Sequence, residues 1–175
     1  MGEPGGIGLV RAFLRERKLS LELLELPEES TRTSALAADA LGCSIAEIAK
    51  SIVYRSSSPG HGIRTAVAVL SGDMRVDREK LKSFLSWERA SIVPPEEVLS
   101  QTGFPVGGVP PFPHREGTVV VVDRSVMRFP SSWAAAGTTS SVMRITPSLL
   151  LDTLRYSLAD IASGQHEASP GRNIV

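Results

Sequence analysis

A chain of 175 residues and 18.7 kDa is the size of one domain at roughly 150 residues each, large enough to bury about 70% of its unfolded surface without disulfide or metal. Nineteen Lys and Arg against nineteen Asp and Glu give a net charge of zero, which excludes a protein that holds nucleic acid through its overall field. The longest run of branched aliphatic residues, Val119 to Val122, falls far short of the ~18 residues of a membrane span, and the single cysteine, Cys43, fits a reducing compartment, so a soluble, cytoplasmic protein with no membrane partner is expected.

In chain order, Leu9, Val10, Phe13 and Leu14 recur at helical spacing in a segment that runs to Lys18, with basic residues on the other face, and predict an amphipathic helix. Leu19 to Leu26 predicts a short strand, which Pro27 stops. Hydroxyl residues from Ser30 to Thr33 supply an N-cap for an alanine-rich helix, Ser34 to Leu41, and Gly42 sits where a left-handed residue ends it. The S-x-x-E capping box Ser44 to Glu47 restarts a helix. That helix is short, because Ser51 to Arg55 turns to β-branched and aromatic residues, which with Ile63 to Leu70 predict two strands joined by a loop. Lys50 falls at the junction of helix and strand.

Gly72-Asp73 marks a turn, and Asp77 caps a helix whose Leu81, Phe84 and Leu85 make one apolar face. A short strand follows from Ala90 to Val93, then a helix opened by Pro94-Pro95-Glu96-Glu97 and ended by Gly103. Residues 104–113 contain four prolines and two glycines, which no helix or central strand tolerates. Thr118 to Val122 predicts a central strand, apolar on both faces, and Ala134 to Ala136 and Ser141 to Ile145 predict two strands that bracket Gly137. Thr146-Pro147 opens a last helix through Tyr156. Without a regular βαβ alternation, the expected fold class is α+β, a mixed, mostly antiparallel sheet that forms a partly open barrel surrounded by helices. Residues 1–163 are expected to form a single domain and 164–175 a flexible C-terminal tail.

Candidate chemistry is sparse. His61, His114 and His166 are scattered, and the sequence has no H-x-x-x-H or C-x-x-C pair, no P-loop and no G-x-S-x-G elbow, so no metal and no cofactor are expected. Cys43 or a serine acting as nucleophile has no recognisable base nearby. Two features remain. Lys50 is one of four lysines against fifteen arginines and lies in an otherwise neutral stretch. It reads either as a snorkelling side chain on the last carbonyls of its helix or as a compact cation at a pocket mouth, suited to a phosphate or an ester carbonyl. In the loop Gly107-Gly108-Val109-Pro110-Pro111, adjacent glycines allow close approach of backbone amides to a ligand and the prolines stiffen the turn; a rigid surface turn is the alternative. The charge divides mildly, with 5 basic and 8 acidic groups in residues 1–49 against 14 and 11 in residues 50–175, which permits a local positive patch on the C-terminal part.

These pieces, in this order and spacing, resemble the YbaK/prolyl-tRNA synthetase-associated editing-domain family over roughly residues 30 to 161. The carriers are the alanine-rich helix with Gly42, Ile45 to Val53 around Lys50, Gly72 to Leu81, Pro95 to Val98, Thr102 to Phe112, Val121-Val122-Asp123, Ala136-Gly137 and Ile145-Thr146-Pro147. The resemblance implies a deacylase that hydrolyses, in trans, the ester between a wrong amino acid and the terminal adenosine of a tRNA, typically tRNA for proline. Lys50 matches the family's essential lysine and Gly107 to Pro111 its G-x-x-x-P loop. On that reading Lys50 anchors the terminal phosphate or the carbonyl, amides near Gly107 and Gly108 hold the aminoacyl group, and Ser51, Ala135, Ala136 and Gly137 complete the substrate site.

The branch that acts on tRNA for proline carrying cysteine commonly has a serine before the small-Gly pair and a Lys-Thr pair on the strand, whereas here Ala135 precedes Ala136-Gly137 and Ser51 follows Lys50. The histidine or asparagine of other branches is absent too, so the amino acid removed stays open. The expected partner is the aminoacylated 3′ end of tRNA, with prolyl-tRNA synthetase as a further one, and the chain is expected as a monomer or weak dimer. A non-catalytic tRNA- or nucleotide-binding module of the same fold is the rival reading.

Overall fold

A computed structural model describes residues 5–58, 60 and 62–165. The helices are α1 (Gly6–Glu16), α2 (Ser34–Leu41), α3 (Arg78–Leu85) and α4 (Pro95–Thr102). The strands are β1 (Leu23–Glu25), β2 (Ile48–Ser58), β3 (Gly62–Ser71), β4 (Met74–Val76), β5 (Ser91–Ile92), β6 (Val119–Asp123), β7 (Ser132–Ala135), β8 (Ser141–Ile145), β9 (Ser157–Ala159) and β10 (Ala162–Gln165). The main sheet runs β1-β8-β7-β2-β3-β6-β9, and β4 pairs with β10 in a separate ribbon. β2 shares one edge with β3 over its whole length. Its other edge is divided, with β7 beside Ile48 and Ala49 and β5 beside Tyr54 and Arg55.

Most pairs are antiparallel; β2 with β7, β3 with β6 and β6 with β9 are parallel. The sheet does not close, since β1 and β9 are its two ends. This is the mixed, mostly antiparallel, partly open α+β arrangement expected from the sequence, with β6 central as its apolar run predicts.

Strand alternation distributes the core over two faces. One face carries Ala49, Val53, Val67, Val69, Val120, Val122 and Met143 and is covered by α1 through Val10 and Leu14, by Val98 of α4, and by Phe104, Val109 and Phe112 of the proline-rich segment. The other carries Ile52, Tyr54, Ala66, Ala68, Leu70 and Val121 against Leu81 of α3, and Ile48, Trp133 and Val142 against Ala37 and Ala38 of α2. Each large apolar side chain so buried contributes about 1.5–3 kcal/mol relative to exposure. The expected caps form: Thr33 accepts from Leu36 N at 3.1 Å, Gly42 ends α2 at φ 65°, and Asp77 accepts from Glu79 N and Lys80 N.

Four local readings change. β1 spans only three residues, because Leu19 and Leu21 pack against the core from outside any strand. The helix expected to restart at Ser44 is one 3-10 turn, Ile45–Glu47. Its box forms, with the Glu47 carboxylate accepting from Ser44 N at 2.9 Å and Ser44 Oγ at 2.8 Å, but pairing with β3 and β7 draws the chain into β2 from Ile48 onward. The last helix is reduced to a π-helical turn, Leu149–Thr153, that buries Leu149 and Leu150. Gly164 and Gln165, expected to begin the tail, close β10; residues 166–175, including His166, lie outside the described residues, as does His61. No helix among the described residues is long and apolar enough to cross a membrane.

Candidate active site

The displaced strand start changes what Lys50 can do. It is the third residue of β2, so alternation places it with Ile48 and Ile52 on the face covered by α2 and α3, while Ser51 points with Ala49 and Val53 to the opposite face. No helix ends beneath it, and the snorkelling reading, which required helix carbonyls, is replaced by another contact. The ammonium donates to the Gly72 carbonyl at 3.3 Å in the turn between β3 and β4. Lys50 is 9% exposed. Its burial lowers the pKa to about 8, with Asp73 working upward against it and Arg75 working with it. Among the described residues Gly72 is its one protein partner, which leaves two of the ammonium's three donors for a ligand.

On the same face a narrow cleft is lined by Thr31, Ile48, Gly107, Trp133, Ala135 and Ser141, among others. Its free volume is about 10 Å³, near that of one water. Two of the expected site residues, Gly107 and Ala135, therefore meet in one cleft, and Ile48, two positions from Lys50 on the same strand face, reaches it. The loops meet behind it, where a Cβ at Gly108 would stand 2.8 Å from the Thr138 carbonyl carbon. The 137–141 loop is tied by its own hydroxyls, Thr138 Oγ1 lying 2.7 Å from Ser141 Oγ and accepting from Ser141 N at 2.9 Å. Thr31 Oγ1 donates to the Thr139 carbonyl.

The other expected residues take different places. Val109 is 4% exposed and Ala136 is fully buried, both inside the core on the α1 face, and Pro110 and Pro111 are buried behind the loop. The Gly108 amide, expected to face a ligand, donates instead to the Pro105 carbonyl at 2.9 Å, so Gly107 supplies the amide of the pair that has no protein partner among the described residues. Ser51 Oγ is buried without a hydrogen-bond partner there, on the face away from Lys50. Gly137 sits against α1: its φ is 100°, and an added Cβ would overlap the Gly6 carbonyl and lie 2.8 Å from Ile7 N. No local pattern signals this contact, because it joins two glycines far apart in the chain.

His114, one of three scattered histidines in the sequence, has its Nε2 2.9 Å from the Pro110 carbonyl, and its ring meets Phe104 edge-on at 6.1 Å. It holds the distal end of the Gly107–Pro111 loop. Burial lowers its pKa to about 4, against a smaller upward effect of the Pro110 bond. The unfolded chain therefore takes up the proton first. Stability from this group is complete above pH about 6.5 and declines as the pH falls to about 4, by up to about 3 kcal/mol. We expect urea unfolding of His114→Gln to show less loss of stability between pH 7 and 4.5 than the parent chain; equal losses would mean that the imidazole is not held neutral.

Residues 28–153 match the model of the aminoacyl-tRNA editing domain family. The chain is 35% identical over 120 residues to the uncharacterized protein YwhH of Bacillus subtilis (strain 168), a match that covers 69% of this chain and 73% of that one. It is 35% identical over 105 residues to a proline--tRNA ligase of Pelobacter propionicus, where 58% of this chain matches 18% of the much longer ligase. A solved structure of a candidate trans-editing enzyme for prolyl tRNA synthetase aligns with a TM-score of 0.79 at 33% identity, covering 94% of this chain and 100% of that one. The family match spans most of the sequence and includes Lys50, the Gly107–Pro111 loop and Ala135, so the residues that form and flank the cleft lie inside it, and the chain belongs to the aminoacyl-tRNA editing domain family.

Proposed function

We propose that this chain is an aminoacyl-tRNA deacylase that acts in trans, with tRNA for proline carrying a small wrong amino acid, such as cysteine or alanine, as its substrate. The observation that carries the reading is Lys50, a nearly buried ammonium with a single protein partner among the described residues, on the strand face whose Ile48 lines the Gly107 and Ala135 cleft. An aminoacyl ester is already activated, so the protein needs to place the terminal nucleotide and to stabilise the oxyanion, without a nucleophile of its own. Lys50 anchors the terminal phosphate or the carbonyl oxygen, and the Gly107 amide supports the developing negative charge. Water, positioned by the vicinal ribose hydroxyl, adds to the carbonyl carbon. The bond to the ribose oxygen then breaks, the proton from water passes to that oxygen, and a free amino acid and an intact tRNA leave.

The narrowness of the cleft favours a small side chain. A hydrophobic pocket separates side chains that differ by one methylene by only ~1–3 kcal/mol, so related small amino acids are removed as well. The similarity to proline--tRNA ligases and to the candidate trans-editing enzyme supports tRNA for proline as the carrier and the synthetase as a partner. The test is deacylation of tRNA for proline charged with alanine, cysteine or proline, with other mischarged tRNAs alongside. Release of the small wrong amino acids is the expected result. Binding of the tRNA with no turnover on any ester would replace this reading by that of a non-catalytic tRNA-binding module.

A further inference from the structure

The turn that receives the Lys50 ammonium is held at three consecutive residues. Ser71 N donates to Ser125 Oγ at 3.1 Å. Gly72 N donates to the Ile48 carbonyl at 2.7 Å, and Gly72 sits so close to the Ile45 carbonyl that a Cβ would overlap it. The Asp73 carboxylate accepts from both terminal nitrogens of Arg128, from Nη1 at 3.0 Å and from Nη2 at 2.5 Å. Two of the three restraints come from one segment, the 3-10 turn Arg124–Arg128 that follows β6. Arg128 is itself fixed there, because its Nε donates to the Ser125 carbonyl at 3.0 Å, and Ser125 N is held by Asp123 at 2.8 Å. Asp123 is 2% exposed and accepts also from Ile161 N and Ala162 N, which ties this segment to β10.

We infer that Arg128 is a positioning residue for Lys50: its two-pronged grip on Asp73 fixes the Gly72–Asp73 turn, so that the Gly72 carbonyl directs the ammonium and the Asp73 carboxylate is kept from pairing with it. An arginine suits this task because its planar fork matches both carboxylate oxygens at once, which a lysine does not. Asp73 forms its ion pair with Arg128, while the ammonium keeps a neutral carbonyl as partner and its remaining donors for a ligand. A direct Lys50–Asp73 pair would occupy those donors and hold the cation away from substrate. The charged groups that act on Lys50 are Asp73 and Arg75, and β3 opposes it with the apolar Leu70. Of these two charges Asp73 acts on the lysine more strongly than Arg75, so its release is what the lysine would report.

The inference rests on the deacylase reading for its effect on rate, but not for its structural content. The chain has four lysines, so isotope labelling of the lysine ε position gives four NMR titrations, with Lys50 identified by its loss in Lys50→Met. In Arg128→Ala the Lys50 midpoint is expected to rise by about one unit, the usual effect of a carboxylate that comes within contact distance. In Asp73→Asn it is expected to fall, and Arg128→Ala combined with Asp73→Asn is expected to behave as Asp73→Asn alone. Arg128→Lys, which keeps the charge but not the fork, should follow Arg128→Ala. In the deacylation assay Arg128→Ala should lower kcat about tenfold with a smaller change in KM. A Lys50 midpoint unmoved in Arg128→Ala, or raised equally in the double variant, overturns the inference even where all variants keep the parent circular dichroism spectrum. Absence of turnover in the parent chain counts against the deacylase reading alone, because the lysine titrations still decide whether Arg128 governs Lys50.

Discussion

Replacing Lys50 with alanine is expected to lower the rate of deacylation by about 10²–10³-fold, the usual cost of removing one donor from a developing oxyanion. Folding should survive, and stability should rise slightly, because the ammonium is held where burial disfavours its charge. Loss of rate without loss of fold separates a functional cation from a structural one. The pH dependence gives a second and independent reading. With its pKa lowered to about 8 by burial, Lys50 is charged below that pH and neutral above it. Deacylation above the uncatalysed background should therefore fall as the pH rises through about 8. A rate that rises through the same range would assign Lys50 the role of a neutral base and would remove the anchoring role given to it. Lys50→Arg keeps the charge but cannot fit a planar fork into a site built for a compact ammonium, so it should recover little of the rate.

The second large effect is expected at Gly137, on stability rather than chemistry. Its φ of 100° is one that side-chain-bearing residues rarely adopt, and a Cβ would overlap the Gly6 carbonyl and stand 2.8 Å from Ile7 N. Gly137→Val must either strain this backbone or push α1 off the sheet, where Val10 and Leu14 are buried. A cost of about 2–5 kcal/mol follows from the disfavoured backbone and the overpacking together, read as a shift in the urea midpoint. Gly6→Ala, on the other side of the same contact, should be destabilising for the same reason, since its Cβ would overlap the Gly137 carbonyl. A change below about 1 kcal/mol in Gly137→Val would show that the two glycines do not meet in solution.

Much of the fold was legible in local patterns. The β-branched runs of β2, β3 and β6, the caps at Thr33 and Asp77 and the glycine that ends α2 all act within a few residues of themselves, and periodicity and capping chemistry report such features directly. The Ser44 box shows the limit of that reasoning. Glu47 reaches back to Ser44 N as the box requires, yet the helix it would start gives way to a strand, because Ile48 and its successors find their backbone partners in β3 and β7. Lys50 moved with that boundary, from a helix end to a strand interior.

What the sequence by itself determined was the class of fold, the family and the residues worth attention: one lysine in a neutral stretch, a stiff glycine loop and a small-residue strand end. Which of these residues share a cleft was decided by tertiary structure alone. Strand alternation sends Lys50 and the neighbouring Ser51 to opposite faces, and the turn at Pro105 uses the Gly108 amide while leaving that of Gly107. The contacts that fix the turn beneath the cation and seat α1 come from far along the chain, since Asp73 and Arg128 are 55 positions apart and Gly6 meets Gly137 across most of the sequence. Periodicity, capping and turn preferences act over a few residues, whereas a site is assembled by packing between segments whose separation in sequence carries no such signal.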